Sequence, residues 1–332
     1  MTPEIVFTAD ARFDFTSDEY RALFLGTRCS AFQHPDWLVP LYRLAHAQRA
    51  EPLVVVGRRT GTMELAVVVP LLKRRTGNDV ELEYAFLGVS DYARPVIDAA
   101  ILADADRGGL SKNFLRALGA FDRLDIAPVR EDDLTVWTPL LACEPAALGF
   151  GAHHLHRQAA PAPDLERKTR RLAGQGTLAL DVVGRDEIPD LMMAARRFRA
   201  GRFRNDPMQA ESSFAFYAEV ALRGQRSGLA RLYRLSCGED LVAVLFGLAH
   251  QGRFYYLVLG CDYPNYGRFS PGMIMFARVM DDWFGNGGAI FDFTIGDEAF
   301  KSALGCARTP MYRFLLGGEM RAPARLAEHA DA

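Results

Sequence analysis

The order of predicted elements in this 332-residue chain indicates an α+β fold of two lobes, each a mixed, mostly antiparallel sheet flanked by helices. The chain is longer than the usual single domain of about 100 to 150 residues. Its C-terminal half gives the order helix, helix, three antiparallel strands, helix, strand, helix, strand. A predicted hairpin at 53–72 also resembles one at 231–250 in length, turn position and apolar pattern, which is typical of an internal duplication.

The N-terminal lobe is assigned to residues 1–150. Its predicted elements are a strand at 4–8, helices that start near Thr16 and Pro35, the hairpin, strands at 82–87 and 124–126, and a helix that ends at Gly119. The hairpin prediction depends on two β-branched runs that flank a short turn with Gly61.

The C-terminal lobe is assigned to residues 160–320 and a flexible tail to 321–332. Between the lobes, the Pro- and Gly-interrupted stretch 144–163 is interpreted as a linker, and it contains His153, His154 and His156. The lobe itself is expected to hold a basic helix at 164–172, a three-stranded meander over 230–260, a long amphipathic helix at 271–284 and a strand at 290–293.

Composition excludes several classes of protein. Hydrophobic residues make up 49% and charged residues 24%, which is typical of a folded globular protein. A net charge of −2 favours no nucleic-acid partner, and no apolar run reaches the ~20 residues of a membrane-spanning helix, so no stable membrane insertion is expected. Five scattered cysteines and an acidic N-terminus without a leader pattern indicate a reduced, cytoplasmic location. The histidine spacing predicts no metal site.

The tripeptide Ser270-Pro271-Gly272 opens the long helix directly after a strand and a loop. Serine is a good N-cap, proline at the first helical position forfeits no bond, and glycine permits close approach to the backbone. Free N–H groups and the helix dipole there suit a pyrophosphate, although a well-capped helix start is the ordinary alternative. The predicted phosphate contacts are Arg268, Ser270 and Gly272, within a cofactor-binding segment that also includes Phe269, Pro271 and Met273.

Polar residues gather where the strand at 290–293 ends. Asp292 lies among apolar neighbours, so it either pairs with another group, caps a turn or acts as a base. Asp297 and Glu298 suit the start of a short helix. Lys301 either pairs with Asp297 at i,i+4 spacing or contacts a phosphate or substrate. His250, at a strand end, is either structural or a general base.

Two segments, YGRFSPG at 266–272 and FDFTIGDEAFK at 291–301, resemble the CelD-type acetyltransferases of cellulose and exopolysaccharide synthesis, a branch of the GNAT superfamily related to Fem-type peptidyltransferases. The segments ERKTRRLAGQG at 166–176 and FQHPDW at 32–37 also match. Two positions depart from the family pattern. Arg268 precedes Gly272 by four residues rather than three, and Phe300 stands where the family has tyrosine, so Tyr312 or Tyr263 would replace that hydroxyl.

The resemblance implies tandem GNAT-like lobes, the N-terminal one degenerate. Acyl-CoA (acetyl-CoA or a longer acyl-CoA) would bind between splayed strands at 253–260 and 289–294. The acyl group would pass to an amine or hydroxyl of a sugar or related small molecule, as in polysaccharide biosynthesis. The candidate catalytic residues are Asp292, His250 and Tyr312, and the candidate substrate contacts are Gly296, Asp297, Lys301 and Arg199.

Two arginine-rich clusters allow more than one interpretation of the acceptor and of the donor. Each is either a solvated helix face or a site for a phosphorylated substrate such as a nucleotide sugar; their members are Arg167, Lys168, Arg170, Arg171 and Arg196, Arg197, Arg199, Arg202, Arg204. Two other functions remain: aminoacyl transfer from tRNA, as in Fem-type enzymes, and a non-catalytic partner protein that keeps the fold. Near balance of basic and acidic residues beyond Ala160 disfavours tRNA.

Overall fold

The computed structural model describes residues 4–103, 107–156 and 163–317, which form two compact units. The first unit holds the described residues up to Gly151 and those from Thr309 onward, and the second is Ala152–Arg308. The sequence placed residues 309–317 with the C-terminal lobe, whereas here they belong to the first unit. The segment predicted as a flexible tail lies outside the described residues.

The first unit is a mixed sheet with five helices among the described residues. Its strands are β1 (Ile5–Asp10), β2 (Glu51–Arg59), β3 (Leu65–Thr76), β4 (Asp79–Tyr84), β5 (Val96–Ile97), β6 (Arg123–Arg130) and the end of β13 (Ala307–Leu316). Its helices are α1 (Asp18–Leu25), α2 (Pro35–Ala47), α3 (Ala99–Leu102), α4 (Arg107–Ala117) and α5 (Leu134–Leu141). The strand order is β1-β2-β3-β4-β6-β13, and β5 pairs with β3.

The second unit repeats this plan. Its strands are the end of β7 (Ala146–His156), β8 (Leu178–Val182), β9 (Ala230–Cys237), β10 (Asp240–His250), β11 (Arg253–Cys261) and β12 (Ile290–Ile295). Its helices are α6 (Pro163–Ala173), α7 (Ile188–Arg199), α8 (Glu211–Ser227), α9 (Tyr263–Tyr266), α10 (Pro271–Gly285) and α11 (Ala299–Ala303). The strand order is β8-β9-β10-β11-β12-β7.

Both sheets have four antiparallel strands, then a strand parallel to the fourth, then an antiparallel strand. The parallel pairs are β4 with β6 and β11 with β12. The last strand of the first sheet is β13, and that of the second is β7, so each comes from the other half of the sequence. This confirms the prediction of two mixed, mostly antiparallel lobes, and it explains why residues 309–317 leave the C-terminal unit.

The linker expected at 144–163 is wrong over its described part, because residues 146–156 form β7. His153, His154 and His156 are therefore strand residues that pair with β12. The strand is not evident in the sequence because glycines and histidines interrupt its apolar pattern. Its local preference for a strand is weak, and pairing with β12 outweighs this.

The parallel strands of the first unit enclose no opening, because the chain after β4 turns back onto β6. Ala93 donates its backbone N–H to the Pro128 carbonyl at 2.7 Å, and Trp137 Nε1 donates to the Ala93 carbonyl at 2.9 Å. The buried hydroxyl of Tyr84 accepts a hydrogen bond from Gln33 Nε2 at 3.0 Å. The end of β4 is thus filled by the unit's own side chains.

The core of the second unit lies between its sheet and α10. Buried apolar residues of β9 to β12 pack there against the apolar face of this helix, which includes Ile274, Met275, Phe276 and Val279. Within the described residues, no helix is both long enough and apolar enough to cross a membrane.

The other face of the sheet is covered by α7, which approaches β11 closely at Gly260. A Cβ atom on Gly260 would lie 2.8 Å from both the Cα and the carbonyl oxygen of Ala195 in α7. Backbone atoms cannot yield as a flexible side chain does, so only glycine permits this approach.

Gly260→Ala should therefore lower the free energy of unfolding by about 1 to 3 kcal/mol, the usual cost of overpacking. Gly184→Ala is the matched control in the same unit, since its added Cβ would meet nothing within 4 Å and its φ is −74°. Denaturant titrations of both variants measure the difference. Equal midpoints would contradict the close approach of α7.

Candidate active site

The parallel strands β11 and β12 stay together for three residue pairs and then part. The pairs are Arg253 with Ile290, Phe254 with Phe291, and Tyr255 with Asp292. β11 continues to Cys261. The register of β12 with β7 shifts between Asp292 and Thr294, and Thr294 has a left-handed φ of 59°. The backbone pairing of β11 and β12 therefore ends at Tyr255 and Asp292, and the region where they diverge is here called the wedge, with its narrow end at these residues. One side-chain hydrogen bond still crosses it, from the Thr294 hydroxyl to the Tyr256 carbonyl at 3.5 Å.

Asp292 closes the narrow end of the wedge. Its side chain is 1% exposed, Arg253 Nη1 donates to its Oδ2 at 2.6 Å, and the Thr294 backbone N–H donates to its Oδ1 at 2.8 Å. A buried carboxylate needs such partners to offset its desolvation. Because both oxygens are already bonded, we interpret Asp292 as the residue that holds the strands together before they part. The two hydrogen bonds and the Arg253 charge stabilise the ionised carboxylate, which makes it a weaker proton acceptor.

α10 begins at Pro271, at the open end of the wedge, because β11 leads into it through α9 and a 3-10 turn at Gly267–Phe269. The helix has the start that the sequence predicts. Ser270, however, has a left-handed backbone (φ 57°, ψ 57°), and its side chain makes no capping hydrogen bond. The expectation that its hydroxyl caps the helix is wrong, because an N-cap side chain needs the extended backbone conformation to reach the next N–H groups.

Gly272 packs closely against side chains of the same unit. A Cβ atom there would lie 2.9 Å from the hydroxyl oxygen of Tyr263 and 3.2 Å from Leu259 Cδ2. Tyr263 itself hydrogen-bonds with Cys261, and burial raises the pKa of each to about 12. Both groups are therefore uncharged at neutral pH and form a neutral wall beside the first turn of α10.

Three cations surround the start of α10. The guanidinium carbons of Arg268 and Arg171 lie 4.7 and 5.8 Å from the ring centre of the buried Phe269, and that of Arg202 lies 3.5 Å from the ring centre of Tyr263. Arg171 belongs to α6 and Arg202 to the loop after α7. In the described part of the chain, none of the three forms an ion pair. Met273 is half-buried in the same turn. These three arginines are called the α10 cations below.

Arg199 supports the loop after α7. Its Nε and Nη2 donate to the two oxygens of the fully buried Asp206 at 2.8 and 2.9 Å, and its Nη1 donates to the Leu259 carbonyl at 3.0 Å. The donors that the sequence assigned to substrate are thus engaged by the protein.

Lys301 is buried at the end of β12. Its ammonium donates to the carbonyls of Ile295 and Gly296 at 2.8 and 3.0 Å and lies 2.8 Å from Glu298 Oε2. The predicted pairing of Lys301 with Asp297 is wrong, because α11 starts only at Ala299 and Asp297 is not part of the helix. Gly296 has a φ of 107°, a conformation that favours glycine.

Asp297 instead pairs with a residue that the sequence analysis assigned no role. Its Oδ1 lies 2.7 Å from His153 Nε2, and Arg308 contacts both carboxylate oxygens at 3.1 and 3.3 Å. His153 is 3% exposed and lies opposite Thr294 on β7. A histidine within an apolar stretch was the feature of the sequence that could have indicated a buried polar residue. Its partner could not be predicted, because it is 144 residues away.

Another predicted catalytic residue, His250, is not brought to the wedge. His250 ends β10 opposite Arg253, at the hairpin end of β11, whereas α10 begins beyond the other end of that strand. Tyr312 belongs to the first unit, where its hydroxyl lies 3.4 Å from Glu131 Oε1. Among the described residues, no cluster of three or more histidine, cysteine or acidic side chains could hold a metal ion.

A cavity of about 270 Å³ lies away from this site, bordered by α7, α8 and β9. Its lining is mostly apolar and includes Val183, Ile188, Leu232 and Phe246. The convergent polar groups that orient a reacting molecule are therefore found at the wedge and not there.

Asp206→Ala tests the support beneath the site. It removes the two carboxylate oxygens that pair with Arg199, whose side chain is only 13% exposed, so we expect a loss of about 3 to 5 kcal/mol of unfolding free energy. Glu211→Ala, which breaks an ion pair between Arg196 and a carboxylate that is 82% exposed, should cost at most about 1 kcal/mol. Thermal or chemical unfolding compares them. Equal effects would refute a structural role for Asp206.

Comparison with known proteins agrees with this geometry. Residues 162–302 match a family model described as an acetyltransferase (GNAT) domain. No curated protein sequence matches the chain. A structure of FemX is similar over 93% of this chain and 97% of its own, with a TM-score of 0.60 and 12% identity.

Two further structures share the fold. One is the C-terminal domain (DUF2156) of a putative lysylphosphatidylglycerol synthetase from Agrobacterium fabrum, with 15% identity, a TM-score of 0.59 and 93% of each chain covered. The other is L-PGS from Bacillus licheniformis, with 9% identity, a TM-score of 0.57 and 92% and 93% covered. At such identities the likeness extends to the fold alone. Residues 162–302 therefore carry a GNAT-fold acetyltransferase domain.

Proposed function

We propose that this protein is an acyltransferase that uses acyl-CoA as its donor, with the thioester in the wedge and the pyrophosphate at the start of α10. The observation that carries the proposal is the parting of β11 and β12 at Tyr255 and Asp292 next to a helix N-terminus. An extended thioester chain can lie between strands that have released their hydrogen bonds. The phosphates then meet the positive end of the helix dipole.

The electrostatics of this end of the wedge favour a polyanionic donor. The α10 cations Arg171, Arg202 and Arg268 have no ion-pair partner within the described residues, and guanidinium groups bind phosphate with two parallel hydrogen bonds. The neutral pair of Cys261 and Tyr263 lies beside them. We therefore propose Arg171 and Arg202 as phosphate contacts together with Arg268.

The acceptor is proposed to be an amine or hydroxyl of a sugar or related small molecule, as the resemblance to CelD-type acetyltransferases implies. Attack on the thioester carbonyl forms the new ester or amide and releases the thiol. Transfer would depend mainly on how the two reactants are positioned. Asp292 contributes by fixing where the strands part, and Lys301 by fixing the carbonyls at the end of β12.

Charge reversal at Arg268 tests the donor site. We expect Arg268→Glu to weaken acetyl-CoA binding by about five- to tenfold, because one exposed contact to phosphate becomes a repulsion. The control is Arg278→Glu, which makes the same change at an exposed position farther along α10. Calorimetry with acetyl-CoA and a longer acyl-CoA measures both. Equal affinities of the two variants, or no binding to the native protein at millimolar ligand, would remove the proposed donor site.

A second donor, aminoacyl-tRNA, is favoured by one observation. α6 carries exposed Arg167, Arg170 and Arg171, and Arg171 reaches the ring of Phe269 beside the start of α10. A basic helix at the edge of the donor site could contact a nucleic-acid backbone as well as a phosphate of CoA.

Ribonuclease and salt distinguish the two donors. If acyl-CoA is the donor, ribonuclease should leave turnover unchanged, and thiol release should continue. If tRNA is the donor, its affinity should fall steeply as the salt concentration rises. The slope of log affinity against log salt should be at most about 0.9 in magnitude per phosphate contact, and Arg170→Glu should reduce that magnitude by about one contact. Filter binding over a salt series measures it. Ribonuclease-sensitive activity would replace acyl-CoA with tRNA as donor.

A further inference from the structure

His153 has one ring nitrogen paired and the other unpaired. Nε2 lies 2.7 Å from Asp297 Oδ1, whereas Nδ1 is buried and has no hydrogen-bond partner among the described residues. Arg308 binds both oxygens of Asp297 and so holds the carboxylate in place. The imidazole is therefore oriented from one side only.

This pairing sets the position of the proton on the ring. A carboxylate oxygen can only accept a hydrogen bond, so Nε2 of His153 carries hydrogen, and in the neutral ring Nδ1 keeps its lone pair. A buried acceptor without a donor is destabilising and rare in folded proteins. Such an atom is typical of a site that receives its donor from a bound molecule.

His153 lies one strand away from the wedge, on β7, which pairs with the edge of β12 opposite to β11. Its register partner on β12 is Thr294, the first residue after the register shift that follows the last pair with β11. Asp297 follows two residues after β12 ends, and the carbonyls between them are fixed by Lys301. The dyad thus stands at the end of the strand along which the proposed donor extends, on rigid backbone.

We propose that Nδ1 of His153 accepts the proton of the attacking amine or hydroxyl, and that Asp297 positions the ring for this step. The proposal rests on the proposed acyl transfer. The nucleophile bonds to the thioester carbonyl carbon while its proton passes to Nδ1. The carbon–sulfur bond then breaks, and the thiolate leaves and takes that proton. Acylated acceptor and free thiol are the products, and the histidine is neutral again.

The dyad fits this task better than the acidic and histidine candidates that the sequence indicated. Both oxygens of Asp292 are engaged, and Arg253 holds the carboxylate at the narrow end of the wedge. His250 lies at the hairpin end of β11. His153 combines burial, an oriented ring and an unoccupied nitrogen.

The main test is His153→Gln, which keeps an amide donor for Asp297 at similar volume but has no nitrogen that accepts a proton. His156→Gln, at an exposed position of the same strand, is the control. Acetyl-CoA is the donor, and water and hydroxylamine are the acceptors, with thiol release as the signal. We expect His153→Gln to bind acetyl-CoA within twofold of the native protein and to lose about 10²- to 10⁴-fold of the water reaction, as for a lost general base. The loss with hydroxylamine, a stronger nucleophile, should be smaller.

Nitrogen NMR of the histidine side chains tests the dyad independently of turnover. We expect His153 to carry its hydrogen on Nε2 in the native protein. In Asp297→Asn, the new amide can donate to Nε2, so the hydrogen should move to Nδ1, and the rate should fall while acetyl-CoA affinity stays unchanged.

The outcomes separate the two proposals. If acetyl-CoA binds and His153→Gln turns over at the native rate, or if native His153 carries its hydrogen on Nδ1, the proton-acceptor role is overturned and the acyl-CoA function stands. If the native protein neither binds acetyl-CoA nor releases thiol, the proposed function fails and this role fails with it, even where NMR shows the Nε2–H form.

Discussion

The buried ion pair between Arg253 and Asp292 is the constraint on which the proposed site depends. It joins Arg253, in the first of the three residue pairs of β11 and β12, to Asp292, in the last of them, with 2.6 Å between Arg253 Nη1 and Asp292 Oδ2. The second oxygen of Asp292 accepts a hydrogen bond from the backbone N–H of Thr294, a residue with a left-handed backbone conformation. Fixed at this point, the strands part in one defined way. Removing either partner alone would leave an uncompensated buried charge, a strongly destabilising change.

The same strand order occurs twice, but only the second unit keeps its parallel strands open. In the first unit, the chain after β4 returns to β6 through the hydrogen bond of Ala93 to Pro128, and Tyr84 and Trp137 fill the remaining space. In the second unit, the chain after β11 moves away into α9 and α10. A repeated fold thus yields one packed core and one opening, because the segments that follow the fourth strand differ.

The sequence predicted the features that local chemistry determines. The two-lobed fold follows from hydrophobic periodicity, and the start of α10 follows from Ser270, Pro271 and Gly272, since proline and glycine punctuate the chain directly. It could not predict partners that the fold brings together. His153 and Asp297 are 144 positions apart, and the swap of β7 and β13 is a matter of strand pairing that no local pattern encodes. The pairing of Lys301 with Asp297, one of its two predicted alternatives, is wrong because it assumes helical spacing at a residue two positions before α11 begins.

The charged and polar groups of the proposed site divide into two kinds. Asp292, Arg199 and Lys301 are buried and have their hydrogen bonds supplied by the protein, as interior charges require. The α10 cations and Nδ1 of His153 have no ion-pair or hydrogen-bond partner within the described part of the chain. Satisfied charges rigidify a scaffold, whereas unsatisfied ones lower the free energy of whatever ligand completes them. This division favours a ligand that is anionic at the start of α10 and donates a proton at His153, which is the pairing of donor and acceptor that acyl transfer brings together.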